Sequence, residues 1–312
     1  MLMINKSIMK SIKLSSYSKN NNPNLGAMLL VLEIILAIII AIIVKSISSL
    51  SSIYIILLSR FLFSVPLLLG FGFFQRGKNL FKINQKRTLL ARIITGLLSL
   101  SFWFLALKHL NISVATVLFQ VMSIFITLLA PIILKEYFGI RRFFAILLGF
   151  FGVIIINFNI DLDYSTFSLG LIYGLAGPFF GALMFLYLRK LGNNDEPISS
   201  AIWHNLTGAI VFFIIFLFLQ PNFYFDFHIY ILLALIGIIS SFQQYLMAAS
   251  HKYATASYLA PFHYFSIPLG FLSGIIFFKE EITFNLIIGT IVILCSTYYI
   301  FRRERSLKGR SK

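Results

Sequence analysis

Residues 254–281 read ATASYLAPFHYFSIPLGFLSGIIFFKEE. The stretch opens on four small residues, runs apolar through two prolines, and closes on Lys279-Glu280. Residues 113–136 read SVATVLFQVMSIFITLLAPIILKE and close on Lys135-Glu136. Small start, apolar run and Lys-Glu end therefore occur twice, at an offset of 144 residues. The simplest reading is one module used twice.

Composition says where such a module lives. Hydrophobic residues make up 59% of the 312-residue chain and charged residues 12%, against about 25% charged in an ordinary soluble domain. A chain this apolar cannot hide its surface in one core, so a multi-pass membrane protein is expected. The net charge of +16 would suggest nucleic acid in a soluble protein. Here the basic residues sit in tails and short loops between apolar runs, which excludes that reading. Cys295 is the single cysteine, so no intrachain disulfide forms. Metal-ligand spacing, a nucleophile elbow and a Walker sequence are absent. Neither an enzyme nor a resident cofactor or metal is expected.

A membrane-crossing helix needs about 20 apolar residues at 1.5 Å each. Ten stretches qualify: about 26–45, 53–74, 89–107, 114–134, 143–159, 169–188, 198–219, 229–250, 255–277 and 284–301. The expected fold is all-α, ten transmembrane helices in two five-helix repeats, 26–159 and 160–301. Residues 1–25 form a polar leader and 302–312 a basic tail. With the leader on the inner side, the inner segments hold all but four of the 26 Lys and Arg; Lys45, Lys108 and Lys279 lie outside and Arg60 within a span. Such a bias places both termini in the cytoplasm. Five spans per repeat is odd, so the second copy inserts upside down. Inverted repeats are a hallmark of secondary transporters, whose substrate site lies near the midplane between the halves.

Polar residues inside spans are functional candidates. Arg60 lies roughly 10 Å inside the second span, as a cavity residue or as an anchor that snorkels outward. His204 stands 144 residues later. Glu33 is the acid well inside a span. It is a candidate for a proton or a cation, although depth argues against its pairing directly with Arg60. Gln243 and Gln244 in the eighth span, and His263 and Tyr264 in the ninth, lie at similar depth. Interhelical hydrogen bonding and a polar cavity wall both account for them. The 144 offset pairs Gln120 with Tyr264, and Trp103 is a possible aromatic wall near Gln120. Gly170, Gly174, Gly177 and Gly181 share one helix face, which favours close packing. Pro261 and Pro268 predict a kink beside His263. Lys135-Glu136 and Lys279-Glu280 are solvated helix ends or gating pairs.

With Lys45, Arg60-Phe61, the 113–136 module and Ala260-Pro261-Phe262-His263-Tyr264 followed by Pro268 and Lys279-Glu280, the chain resembles the drug/metabolite transporter superfamily, specifically its EamA type, from about residue 26 to 301. The second-span Arg-Phe and the late module are similar to S-adenosylmethionine uptake transporters of intracellular bacteria. The resemblance implies inverted five-helix repeats, a central cavity and alternating access without ATP. Glu33 departs from the family's usual first span and leaves substrate charge open. The expected protein is a secondary transporter of a small polar metabolite (amino acid, nucleoside-like or S-adenosylmethionine-like) in the bacterial inner membrane. Proton or counter-substrate coupling and a homo-oligomer remain open. The competing class is a membrane scaffold or assembly subunit with no transported ligand.

Overall fold

The computed structural model describes residues 22–134, 140–156, 164–192, 195–220, 226–254 and 259–310. Among these, all regular structure is helical: α1 Pro23–Ile47, α2 Ile53–Arg76, α3 Lys86–His109, α4 Ile112–Phe119, α5 Met122–Leu134, α6 Ile140–Ile156, α7 Tyr164–Leu191, α8 Pro197–Leu219, α9 Phe227–Tyr253, α10 Ser266–Phe278 and α11 Phe284–Arg310. Short 3-10 segments occupy Gly77–Asn79 and Ala260–Phe265.

The helix starts follow local chemistry. The Asn22 side chain accepts from Leu25 N at 3.2 Å and Pro23 takes the first position of α1, where its missing N–H costs nothing. Asp226 caps α9 through His228 N at 3.0 Å. At the other end of an element, Lys279 terminates α10 in the left-handed conformation, φ 52°.

Six helices among the described residues are long and apolar enough to cross a membrane: α1, α2, α3, α7, α8 and α9. Shorter apolar helical runs cover Ile112–Ile126, Phe262–Phe278 and Phe284–Ser296. Large side chains such as Ile132, Phe218 and Phe74 stand exposed along the helices, as a lipid-facing surface requires. The protein is a multi-pass helical membrane protein.

The fourth expected span is not one rod. At Gln120–Val121 the chain tightens into i→i−3 hydrogen bonds, with Gln120 N to Val117 O and Val121 N to Leu118 O, so α4 and α5 are separate pieces. The ninth expected span is broken as well. In place of a simple kink, Pro261 lies in the 3-10 segment that leads into α10. Phe119 and His263, one at each interruption, differ by 144 in number.

Packing repeats across the two halves. The third rod of each half lies on the first rod of the other (α3 on α7, α9 on α1). The second lies on the second (α2 on α8), the broken fourth on the broken fourth (α4 on α10), and the fifth on the fifth (α6 on α11). Exchanging the halves leaves this set unchanged. The α7 glycines allow the close approach: a Cβ on Gly177 would stand 3.4 Å from the Trp103 backbone nitrogen.

One junction on the expected outer side departs from a plain solvated helix end. Glu280, just beyond α10, accepts from Ile112 N at 2.7 Å, Ser113 N at 3.1 Å and Ser113 Oγ at 2.7 Å. A carboxylate at the start of α4 satisfies N–H groups that have no intrahelical partner. Nearby, Lys45 Nζ donates to Leu110 O at 2.5 Å. The Lys135-Glu136 pair lies outside the described residues.

Candidate functional site

Between the halves lies a cavity of about 140 Å³. Polar groups reach it from both. Glu33, Arg60, Ser99, Trp103 and Gln120 come from α1 to the α4–α5 break, and His204, Gln243, Gln244, His263 and Ser266 come from α8 to α10. Eight of the nine residues singled out from the sequence therefore line one space. Tyr264 is not among the lining residues; it packs against the large apolar core.

Arg60 does not snorkel: it is 2% exposed, seven residues into α2. Its Nη2 donates to Gln243 Oε1 at 3.3 Å, and Gln243 Nε2 donates to Glu33 Oε1 at 2.5 Å. Gln243 thus bridges the acid and the base that do not meet directly. Its orientation follows from chemistry, since an amide presents its NH2 to a carboxylate and its oxygen to a guanidinium. Beside it, Gln244 Oε1 accepts from Arg92 Nη2 at 3.3 Å, while Arg92 Nη1 donates to Ser200 O at 3.3 Å. Two adjacent glutamines on α9 therefore hold two buried arginines.

Arg92 escaped the sequence reading of the site because it was counted as an inner flanking charge. It is wholly buried in α3. The signal was present: Leu89, Leu90 and Ala91 precede it and Ile93 and Ile94 follow, surroundings that a solvated charge does not seek. Ser99 and Ser266 were also passed over. Ser266 Oγ accepts from Gln120 Nε2 at 2.6 Å and donates to His263 O at 2.8 Å, tying the two interrupted segments together.

Aromatic groups supply the remaining wall. Trp103 lies at 4.8 Å from Phe119, between ring centroids. Phe185 meets His263 edge-on at 5.6 Å, and His204 meets Phe61 edge-on at 5.7 Å. Gly96 leaves room for His204: a Cβ there would stand 2.8 Å from its Cε1. Four buried polar atoms around the cavity have no hydrogen-bond partner among the described residues: Arg60 Nε, Arg60 Nη1, His204 Nδ1 and Gln120 Oε1. Since buried polar groups are normally paired, this set is suited to contacting a polar ligand between aromatic faces.

The EamA-like transporter family matches residues 24–158 and again residues 168–302. The chain belongs to the EamA-like transporter family. A riboflavin transporter of Vibrio cholerae is 26% identical over 228 residues, covering 72% of this chain and 74% of the relative. A second riboflavin transporter, from Rhizobium johnstonii, is 25% identical over 254 residues, 78% of each chain. An S-adenosylmethionine uptake transporter of Rickettsia felis is 21% identical over 253 residues, covering 80% of this chain and 83% of the relative. A solved crystal structure shares the fold, with TM-score 0.67 at 15% identity over 90% of this chain and 98% of the other. This EamA-family protein is thus a membrane transport protein and not an enzyme.

Proposed function

We propose that the chain is a secondary transporter of a small polar metabolite, moved by alternating access between two inverted halves without ATP. The observation that carries this reading is the cavity itself. Its polar wall is contributed by both halves, and both interrupted helices bring residues to it. Interrupted helices at corresponding positions of two halves are the usual construction of a transporter site. A scaffold would need neither the shared cavity nor buried polar atoms without partners. The substrate class combines a planar portion, for Trp103 and Phe119, with hydrogen-bonding groups for Arg60, Gln244, Gln120 and His204. The relatives that carry riboflavin and S-adenosylmethionine fit that description, and each supplies a ligand to try.

Glu33 is the coupling candidate. Its carboxylate accepts from the neutral amide of Gln243, an arrangement in which the carboxyl can gain or lose a proton without breaking a direct ion pair. The membrane is the bacterial inner membrane, with both termini cytoplasmic, as the Lys and Arg distribution supports.

The test is counterflow in proteoliposomes holding only this protein and no nucleotide, with labelled riboflavin, S-adenosylmethionine and a set of amino acids. Accumulation of one of them above protein-free vesicles, abolished by excess unlabelled ligand, is expected. Failure of every ligand to exchange, with correctly inserted protein, would remove the metabolite-transport reading.

A further inference from the structure

We infer that the cavity selects its ligand by a paired-acceptor edge presented to Arg60, so that the substrate is a planar molecule bearing such an edge and no dominant positive charge. This rests on the transport reading above and narrows it. The acceptor chemistry has two sources: a carboxylate, or the adjacent carbonyl oxygen and ring nitrogen of a flavin-like heterocycle.

The hydrogen-bond inventory carries the inference. Both glutamine oxygens on this wall are already taken, Gln243 Oε1 by Arg60 and Gln244 Oε1 by Arg92. Gln243 Nε2 is held by Glu33. The Arg60, Gln243 and Gln244 side of the cavity therefore turns donors toward it, with Gln120 Oε1 the unpaired acceptor across from them in the α4–α5 break. Arg60 Nε and Nη1 are buried with no hydrogen-bond partner among the described residues, although Arg60 lines the cavity. Whichever Nη2 hydrogen Gln243 engages, the other forms a two-pronged edge with Nε or with Nη1. A guanidinium edge of that kind matches two neighbouring acceptors.

Charge points the same way. Arg60 and Arg92 are both buried, and Glu33 is the one carboxylate among the described residues that line the cavity. A cation entering to meet Glu33 would face the Arg60 guanidinium on the cavity wall with Arg92 buried behind Gln244, and Gln243 already occupies one carboxylate oxygen. An acceptor edge instead relieves the unpaired nitrogens of Arg60, and the planar body it belongs to fits against Trp103 and Phe119.

Three probes test this on the purified full chain by titration. Riboflavin is uncharged, planar and carries adjacent carbonyl and ring-nitrogen acceptors. Phenylalanine carries a carboxylate. 2-Phenylethylamine keeps the phenylalanine ring and amine but lacks the carboxylate. Binding of riboflavin or phenylalanine at least tenfold tighter than 2-phenylethylamine is expected, and which of the two binds names the source of the acceptor edge. Arg60→Lys, which keeps the charge but loses the planar fork, is expected to weaken that binding at least tenfold. Equal or tighter binding of 2-phenylethylamine overturns the inference. So does a ligand whose affinity is untouched by Arg60→Lys, or the absence of binding by both acceptor-bearing probes. If Arg60→Lys does not fold, the comparison among probes on the unsubstituted protein decides alone. Counterflow separates the two readings: exchange of an amine independent of Arg60 leaves transport standing and removes the acceptor edge. Tight, Arg60-dependent binding without exchange does the reverse.

Discussion

Two corners of the cavity occupy equivalent places in the two repeats and are chemically unlike. In one, Glu33 of α1, Gln243 of α9 and Arg60 of α2 form a chain of hydrogen bonds. Advancing or retreating each by 144 residues gives Gly177 of α7, Ser99 of α3 and His204 of α8. There Ser99 Oγ donates to Gly177 O at 2.9 Å. The same contact is made in both corners, between the third rod of one half and the first rod of the other. Only the first carries charge. The repeat has kept the backbone arrangement and varied the chemistry. The first corner supplies the acid, the base and the bridging amide, while its counterpart supplies a hydroxyl, a backbone carbonyl and an imidazole.

The comparison is sharpest where removal of a group leaves a buried charge behind. Glu33→Leu should be the most damaging change. It leaves Gln243 Nε2 and the buried arginines without the one nearby carboxylate, at a cost of about 3–5 kcal/mol, read as a fall in thermal unfolding midpoint in detergent. Arg92→Leu comes next. It leaves Gln244 Oε1 without its donor, at about 1–3 kcal/mol, while the Ser200 carbonyl keeps its place in the α8 hydrogen-bond ladder. Gly96→Ala probes the other corner by crowding. The new methyl meets His204 Cε1 and Met184 Sδ, and overpacking of this kind costs about 1–3 kcal/mol. Ser99→Ala should be mildest, about 1 kcal/mol for one neutral hydrogen bond. If Ser99→Ala lowers the midpoint as far as Glu33→Leu does, the two corners are energetically alike and the contrast fails.

The two corners also mark where sequence reading succeeds. The repeat was legible because Lys279-Glu280 echoes Lys135-Glu136 and because long apolar runs are unambiguous. Glu33, Arg60, Gln243 and His263 were legible because a polar residue in hydrocarbon needs a reason. What sequence could not supply was the partner. Depth separated Glu33 from Arg60, and nothing in the chain said that Gln243 would span the gap. Arg92 was concealed by its own charge, since a basic residue near a span end satisfies the orientation rule whether it faces water or a glutamine. The Gln120–Val121 interruption carries neither proline nor glycine, the usual signs of a break, so the fourth span read as continuous. Glu280 looked like a solvated end because two of its three partners, the first N–H groups of α4, are backbone and leave no mark in composition.

Alternating access requires a cavity that opens in turn to the two sides of the membrane. Cysteine accessibility tests this without a known substrate. Cys295 is the single native cysteine, so Cys295→Ser provides the background and Trp103→Cys or Gln120→Cys places one thiol on the cavity wall. Each thiol should react with a membrane-impermeant maleimide added to right-side-out vesicles and, separately, to inside-out vesicles. Labelling from one side alone at both positions, in folded protein, would contradict alternating access.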